Sequence, residues 1–122
     1  MLNKSIADLH PSMRIPVGNL LGEIMKAGLP FMLFEGYRSP ERQDELYKQE
    51  GSVTNARAWE SAHQFGLAVD IVGWKDGKWS WDDDLPWDQL HKLAKKCKLE
   101  APIKWDRGHI QSPAWQTIKT RL

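Results

Sequence analysis

A chain of 122 residues suits one domain, which at this length buries roughly two-thirds of its unfolded surface, and no repeat or Pro/Ser-rich linker divides it. Its 17 basic and 16 acidic residues leave a formal charge of +1, so no net field draws it to nucleic acid or to an anionic bilayer. Cys97, the single cysteine, excludes an intrachain disulfide and a thiolate zinc cluster; no segment approaches membrane-spanning length, and MLNKSIADLHPSMRIPVG has no apolar core of signal-peptide length.

Along the chain, Ile15, Val17, Leu20, Leu21, Ile24 and Met25 predict a helix over about 12–27 that Gly28 closes as a C-terminal cap. FMLFEGY (31–37) predicts a strand. Ser39-Pro40 is a cap followed by a first-turn proline, opening a helix that ERQDELYKQ carries to Gly51, and 52–62 read as a loop. LAVDIVGW (67–74) is apolar enough for a central strand, which Lys75-Asp76-Gly77-Lys78 turns back into WSW as a hairpin. Asp84 or a neighbour is placed to cap a helix over LPWDQLHKLAKKC, whose Leu85, Leu90, Leu93 and Ala94 recur at helical spacing and should lie on the sheet. IKWDRGHIQ (103–111) predicts a short edge strand interrupted by Gly108, and Ser112-Pro113 caps a C-terminal helix, AWQTIKTRL. The sum is an α+β domain spanning 1–122, a small, mainly antiparallel sheet with helices packed on it. Seven tryptophans is a high count; each is weighed first as core, yet a surplus also suits a cleft that grips an extended or sugar-bearing ligand.

Within SAHQFGLAVD (61–70), His63 and Asp70 stand where a polar loop becomes a buried strand, so that both can converge at its edge. Zinc in hydrolases commonly takes three His or carboxylate ligands and keeps a fourth position for water. His63, Asp70 and His109 supply that set, although such ligands accept other divalent ions too. Hydrolysis also needs a carboxylate that is not a ligand, and Asp106, three residues before His109, can reach the same water. Taken singly, each residue is more often structural than metal-binding; the combination is what shifts the reading. His10 and His91 match no position of this set, and His91 reads as a surface residue.

Ser61-Ala62-His63-Gln64-Phe65-Gly66-Leu67-Ala68-Val69-Asp70 resembles the SxHxxGxAxD signature of the zinc D-Ala-D-Ala carboxypeptidase and L-alanyl-D-glutamate endopeptidase family, which includes many phage endolysins. Gly36-Tyr37-Arg38-Ser39 resembles that family's strand-ending arginine motif, and Asp106-Arg107-Gly108-His109 its acid-x-x-His element, in the family's order over about 30–112. The resemblance implies a Hedgehog/DD-peptidase-like fold. It implies one zinc ion on His63, Asp70 and His109, Asp106 as general base and then acid, and Arg38 facing the substrate carbonyl and its oxyanion, ahead of a salt bridge from Arg38 to Glu35 or Glu41. Ser61 is assigned to the loop or to a substrate carboxylate, and Gly66 to a close backbone approach to the metal loop. The family's usual acid is Glu; Asp106 is one methylene shorter and must sit closer to the water.

By the same resemblance, the substrate is the stem peptide of bacterial peptidoglycan. The expected enzyme is a monomeric L-alanyl-D-glutamate endopeptidase working as a phage or prophage endolysin. It is made in the host cytoplasm without a signal peptide and reaches the wall once a separate protein permeabilises the membrane. A D-Ala-D-Ala carboxypeptidase is the alternative bond specificity. A non-catalytic peptidoglycan-binding or phage structural protein that keeps the fold is a second class. Nucleic-acid binding through Lys95, Lys96 and Lys98 is a third, against which the balanced charge counts.

Overall fold

The computed structural model describes residues 2–48 and 61–120. The elements run α1 (Pro11–Ala27), β1 (Phe31–Glu35), α2 (Pro40–Lys48), β2 (Ala68–Lys75), β3 (Lys78–Ser80), α3 (Trp87–Lys96), β4 (His109–Gln111) and α4 (Trp115–Lys119), with short 3-10 turns at Ile6–Asp8 and Ala62–Phe65. This is the expected α+β architecture. The predicted extension of the second helix to Gly51, the loop at 52–60 and the last two residues of the C-terminal helix lie outside the described residues. Among those described, no helix is long and apolar enough to cross a membrane.

The central strand is β2. It pairs antiparallel with β1 along one edge, while β3 and β4 share the other edge end to end. Asp76 and Gly77 make the hairpin turn with φ of 54° and 75°, the paired positive values that a two-residue primed turn demands and that Asp-Gly meets at low cost. Strand alternation sends Val69 and Ile71 to one face, where they join Phe31 and the buried sides of α1 and α3: Met13, Val17, Leu20 and Ile24, and Trp87, Leu90 and Ala94. Asp70, Val72 and Trp74 project from the opposite face. α1 and α3 thus cover one side of the sheet, and Asp70 occupies the other.

Several local expectations are corrected. The buried stripe of α1 uses Met13, whereas Ile15 and Met25 are exposed, because the face turned to the sheet is set by the 13-17-20-24 spacing. No Asp caps α3: its N-cap is Pro86, without a side-chain cap, and Asp84 stays exposed in the preceding turn. Only 109–111 of the predicted 103–111 strand pair, since turns at 104–105 and 107–108 interrupt it. Ser39 does cap α2, its Oγ accepting from Arg42 N at 3.1 Å, and Gly28 closes α1 with φ of 67°.

Two glycines decide how the site loops approach. Gly66 ends the Ala62–Phe65 turn with φ of 68°, and a Cβ there would meet His10 N at 2.5 Å; its close neighbour is the Leu9–His10 backbone, not the metal loop as expected. Gly108 makes the close approach to β2 instead: a Cβ would stand 2.7 Å from Ile71 O, and Gly108 O accepts from Ile71 N at 2.9 Å. Gly66→Ala combines a left-handed backbone with a backbone clash, so it should cost about 2 kcal/mol or more and lower Tm by roughly 8 °C, measured by thermal unfolding.

Candidate metal centre

The turn Ala62–Phe65 is capped by Ser61, whose Oγ accepts from His63 N at 3.2 Å, and this places His63 beside the start of β2. Arg38 N donates to His63 O at 3.0 Å, tying the arginine segment to the same turn. Asp70 follows on β2, and His109 lies directly opposite it across the β2–β4 pairing. The three side chains converge, with one ligand atom from each within 4.8 Å of the others. His63 Nε2 is 3.3 Å and His109 Nδ1 3.8 Å from Asp70 Oδ1, and the imidazoles meet edge-on with centroids 5.1 Å apart.

The outer hydrogen bonds determine which nitrogens face inward. His63 Nδ1 lies 2.8 Å from the Gly36 carbonyl, which can only accept, so Nδ1 carries the hydrogen and Nε2 presents its lone pair to Asp70. Gln111 Nε2 donates to Glu100 Oε1 at 3.0 Å, which turns the Gln111 amide oxygen toward His109. That oxygen is 2.8 Å from His109 Nε2, making Nε2 the donor and leaving Nδ1 as the inward lone pair. Asp70 Oδ1 is itself buried without a hydrogen-bond partner. With both rings neutral, two imidazole lone pairs and a carboxylate oxygen therefore point at one another, a donor set that suits a divalent cation.

Charges around the centre fall into place on the same geometry. Burial pushes the Asp70 carboxyl up, but the attraction of His63, Arg38 and His109 outweighs it and holds the group below the usual carboxylate range. Burial, with the neighbouring His63, keeps the His109 imidazole below its ordinary value and so in the neutral form that ligates. Asp106 is pushed up to about 6, chiefly by burial and then by the Asp70 charge, with His63 and Arg38 pulling the other way. Asp106 thus shares the electrostatic surroundings of the cluster without being one of its three ligand residues.

Arg38 is committed to protein partners. Nε and Nη2 donate to Glu35 Oε1 at 3.1 and 2.9 Å, Nη1 to Gln43 Oε1 at 2.8 Å, and Nη2 also to Asp70 Oδ2 at 3.1 Å. The ion pair with Glu35 that sequence reasoning placed second is present, and Glu35 is held in turn by Arg42 Nε at 3.1 Å. Four further residues support the site. Gln111 could have been suspected from its position two residues after His109 on a strand, where both share a face; Glu100 and Gln43 leave no such signal. His91, expected at the surface, is half-buried with Nε2 2.8 Å from the Arg107 carbonyl, steadying the loop that carries Asp106.

Residues 7–115 match the VanY family, described as D-alanyl-D-alanine carboxypeptidase. The chain is 35% identical over 115 residues to the peptidoglycan L-alanyl-D-glutamate endopeptidase CwlK of Bacillus subtilis (strain 168), covering 83% of this chain and 69% of that protein. Among solved structures it resembles the L-Ala D-Glu endopeptidase ChiX of Serratia marcescens, with a TM-score of 0.68 and 25% identity over 92% of this chain and 86% of the other. It shares its fold with a variant of the D,D-pentapeptidase VanY from a VanB-type vancomycin-resistance cassette, solved with Zn(II), at a TM-score of 0.67 and 20% identity over 92% and 78% of the two chains. The chain belongs to the VanY family, and it is a metallopeptidase.

Replacing Gln111 by Leu removes the acceptor that fixes the His109 ring, so zinc affinity should fall by about 10- to 100-fold in isothermal titration while the fold, read by circular dichroism, is kept.

Proposed function

We propose that the protein is a zinc-dependent peptidoglycan endopeptidase that cleaves the L-alanyl-D-glutamate bond of stem peptides, with His63, Asp70 and His109 as the metal ligands. The reading is carried by the commitment of Arg38 to Glu35, Asp70 and Gln43. A carboxypeptidase needs a cation for the free terminal carboxylate, and among the described residues the buried cation at this centre, Arg38, is already satisfied by protein. The kinship to CwlK and ChiX, both L-alanyl-D-glutamate endopeptidases, supports the same choice.

A divalent ion held by the three ligands supplies the Lewis acidity that amide hydrolysis requires at neutral pH. Asp106 takes a proton from the attacking water on its carboxylate and returns it to the leaving amine nitrogen. The outer hydrogen bonds to Gly36 O and Gln111 Oε1 hold the His63 and His109 rings in place and strengthen them as ligands. Arg38 acts through Asp70: by engaging Oδ2 it leaves Oδ1 as the inward atom, which makes Arg38 a positioning residue. Ser61 contributes by shaping the His63 turn.

Incubating zinc-loaded protein with purified peptidoglycan should release, on mass spectrometry, stem peptides beginning at D-Glu, and a chelator should abolish them. Free D-Ala instead would identify a carboxypeptidase, and no metal-dependent product from walls of several chemotypes would contradict hydrolysis. The lytic setting is tested separately: added to Gram-negative cells with a permeabilised outer membrane, the active protein should clear the suspension and an Asp106→Asn variant should not.

Asp106 must be ionised to accept a proton, and a bound cation lowers its carboxyl from about 6. Activity is therefore full above that value and lost as pH falls through it, so kcat/KM should show an acid limb at or below about pH 6. Asp106→Asn should cost about 10²- to 10⁴-fold with zinc affinity retained. Arg38→Lys keeps the charge and loses the fork; zinc affinity and turnover should fall together, whereas a residue acting on the oxyanion alone would lower kcat with zinc affinity unchanged.

A further inference from the structure

The sheet face that carries Asp70 continues along β2 into an aromatic surface that the hydrolytic centre does not use. Trp79 stands opposite Trp74 across the hairpin, with ring centroids 4.8 Å apart at 71°. Phe34 of β1 meets Trp79 edge-on at 4.9 Å and Trp81 at 5.4 Å, and Lys4 Nζ lies 4.8 Å from the centroid of Trp79. Trp79 is the half-buried hub of this group, while Trp74 and Trp81 are 39% and 53% exposed. Edge-to-face contacts fix the orientation of each ring, so the exposed indoles are preorganised and lose little freedom when something settles on them. Contiguous exposed aromatics of this kind mark an interaction surface.

The position relative to the cradle selects the occupant. Phe34 adjoins Glu35, which is the β1 partner of Asp70, so the aromatic group begins beside the centre. Trp74, four residues from Asp70, lies about 13 Å further along the strand. In peptidoglycan, L-alanine is joined by an amide to the lactyl arm of an N-acetylated amino sugar. The sugar ring is therefore separated from the L-alanyl-D-glutamate bond by one residue and that arm, roughly 7 Å when extended. A pyranose presents flat C–H faces that match an indole, and two linked rings span the distance from Phe34 and Trp81 to Trp74. Charge at this face is mixed, with Lys4 over Trp79 and the exposed Asp82 and Asp84 beside Trp81, so it does not select the carboxylate-bearing remainder of the stem peptide, whereas the flat indoles match the uncharged sugar rings.

We propose that Trp74, Trp79 and Trp81 form a platform for the N-acetylated amino-sugar rings to which the stem peptide is attached, so that the enzyme reads glycan and peptide together. This rests on the endopeptidase reading above, and its consequence is a preference for sugar-bearing substrates over free peptides.

The test uses the zinc-loaded protein and a Trp74→Ala/Trp81→Ala variant on two substrates with the same peptide, one carrying its disaccharide and one capped by an acetyl group. The variant should lose roughly tenfold in kcat/KM on the sugar-bearing substrate and stay within about twofold on the sugar-free one. A titration with a peptide-free β-1,4-linked N-acetylglucosamine oligomer should change tryptophan fluorescence saturably in the wild type and not in the variant. Equal loss on both substrates, no saturable change with the oligomer, or wild-type self-association that the variant abolishes would overturn the platform. If the wild type cuts neither substrate, the hydrolytic reading fails by itself, and the fluorescence titration still decides whether the face binds sugar.

Discussion

Three acceptor atoms facing one another inside a folded protein repel unless a cation lies among them, and the arrangement of this site follows from that constraint. His63 Nε2, His109 Nδ1 and Asp70 Oδ1 meet at the edge of β2, and Asp70 Oδ1 has no hydrogen-bond partner. Left to itself, a buried unpaired carboxylate oxygen costs free energy of the order of 1–3 kcal/mol or more. In the neutral rings the one imidazole hydrogen is spent on an outer acceptor, which leaves the inner nitrogen free to take a cation. The Gly36 carbonyl holds one ring and the Glu100–Gln111 relay holds the other. Arg38 offsets part of the Asp70 charge from the far oxygen while leaving the near one open.

The scaffold is arranged to keep these atoms close. The β2–β4 pairing sets Asp70 opposite His109, and Gly108 lets the intervening loop press against Ile71 O. On the other side, the Ala62–Phe65 turn is locked between the Arg38 backbone and the Leu9–His10 segment, with Gly66 supplying the left-handed backbone where the two chains touch. A largely buried ion-pair chain from Arg42 through Glu35 and Arg38 to Asp70 runs from α2 into the sheet, so the first turn of α2 bears on the orientation of Asp70 two elements away. α1 and α3 contribute bulk on the opposite face of the sheet.

Much of this was legible in the sequence because the informative features are local. The Asp-Gly hairpin, the Ser-Pro cap and the apolar run of 67–74 specify their own backbone geometry, and the spacing within SAHQFGLAVD places His63 and Asp70 at one strand edge. The register of α1 was misread because Ile15 and Met25 are as apolar as Met13, and only packing against the sheet decides which faces inward. Arg38 shows the same limit. Its place at a strand end could be read, but whether its guanidinium turns to the reacting carbonyl or to Glu35, Asp70 and Gln43 depends on partners 3, 32 and 5 residues away. Gln111 and Glu100, which fix the tautomer of His109, act through an isolated pairing between Glu100 and Gln111 that no short motif encodes.

The most direct measurement is anomalous diffraction at the zinc edge from crystals of the zinc-loaded protein, refined to show which atoms ligate. The account predicts one peak within bonding distance of His63 Nε2, Asp70 Oδ1 and His109 Nδ1, with Nε2 of His109 still against Gln111. A peak bound through His109 Nε2, a peak away from Asp70, or no peak at all would contradict it.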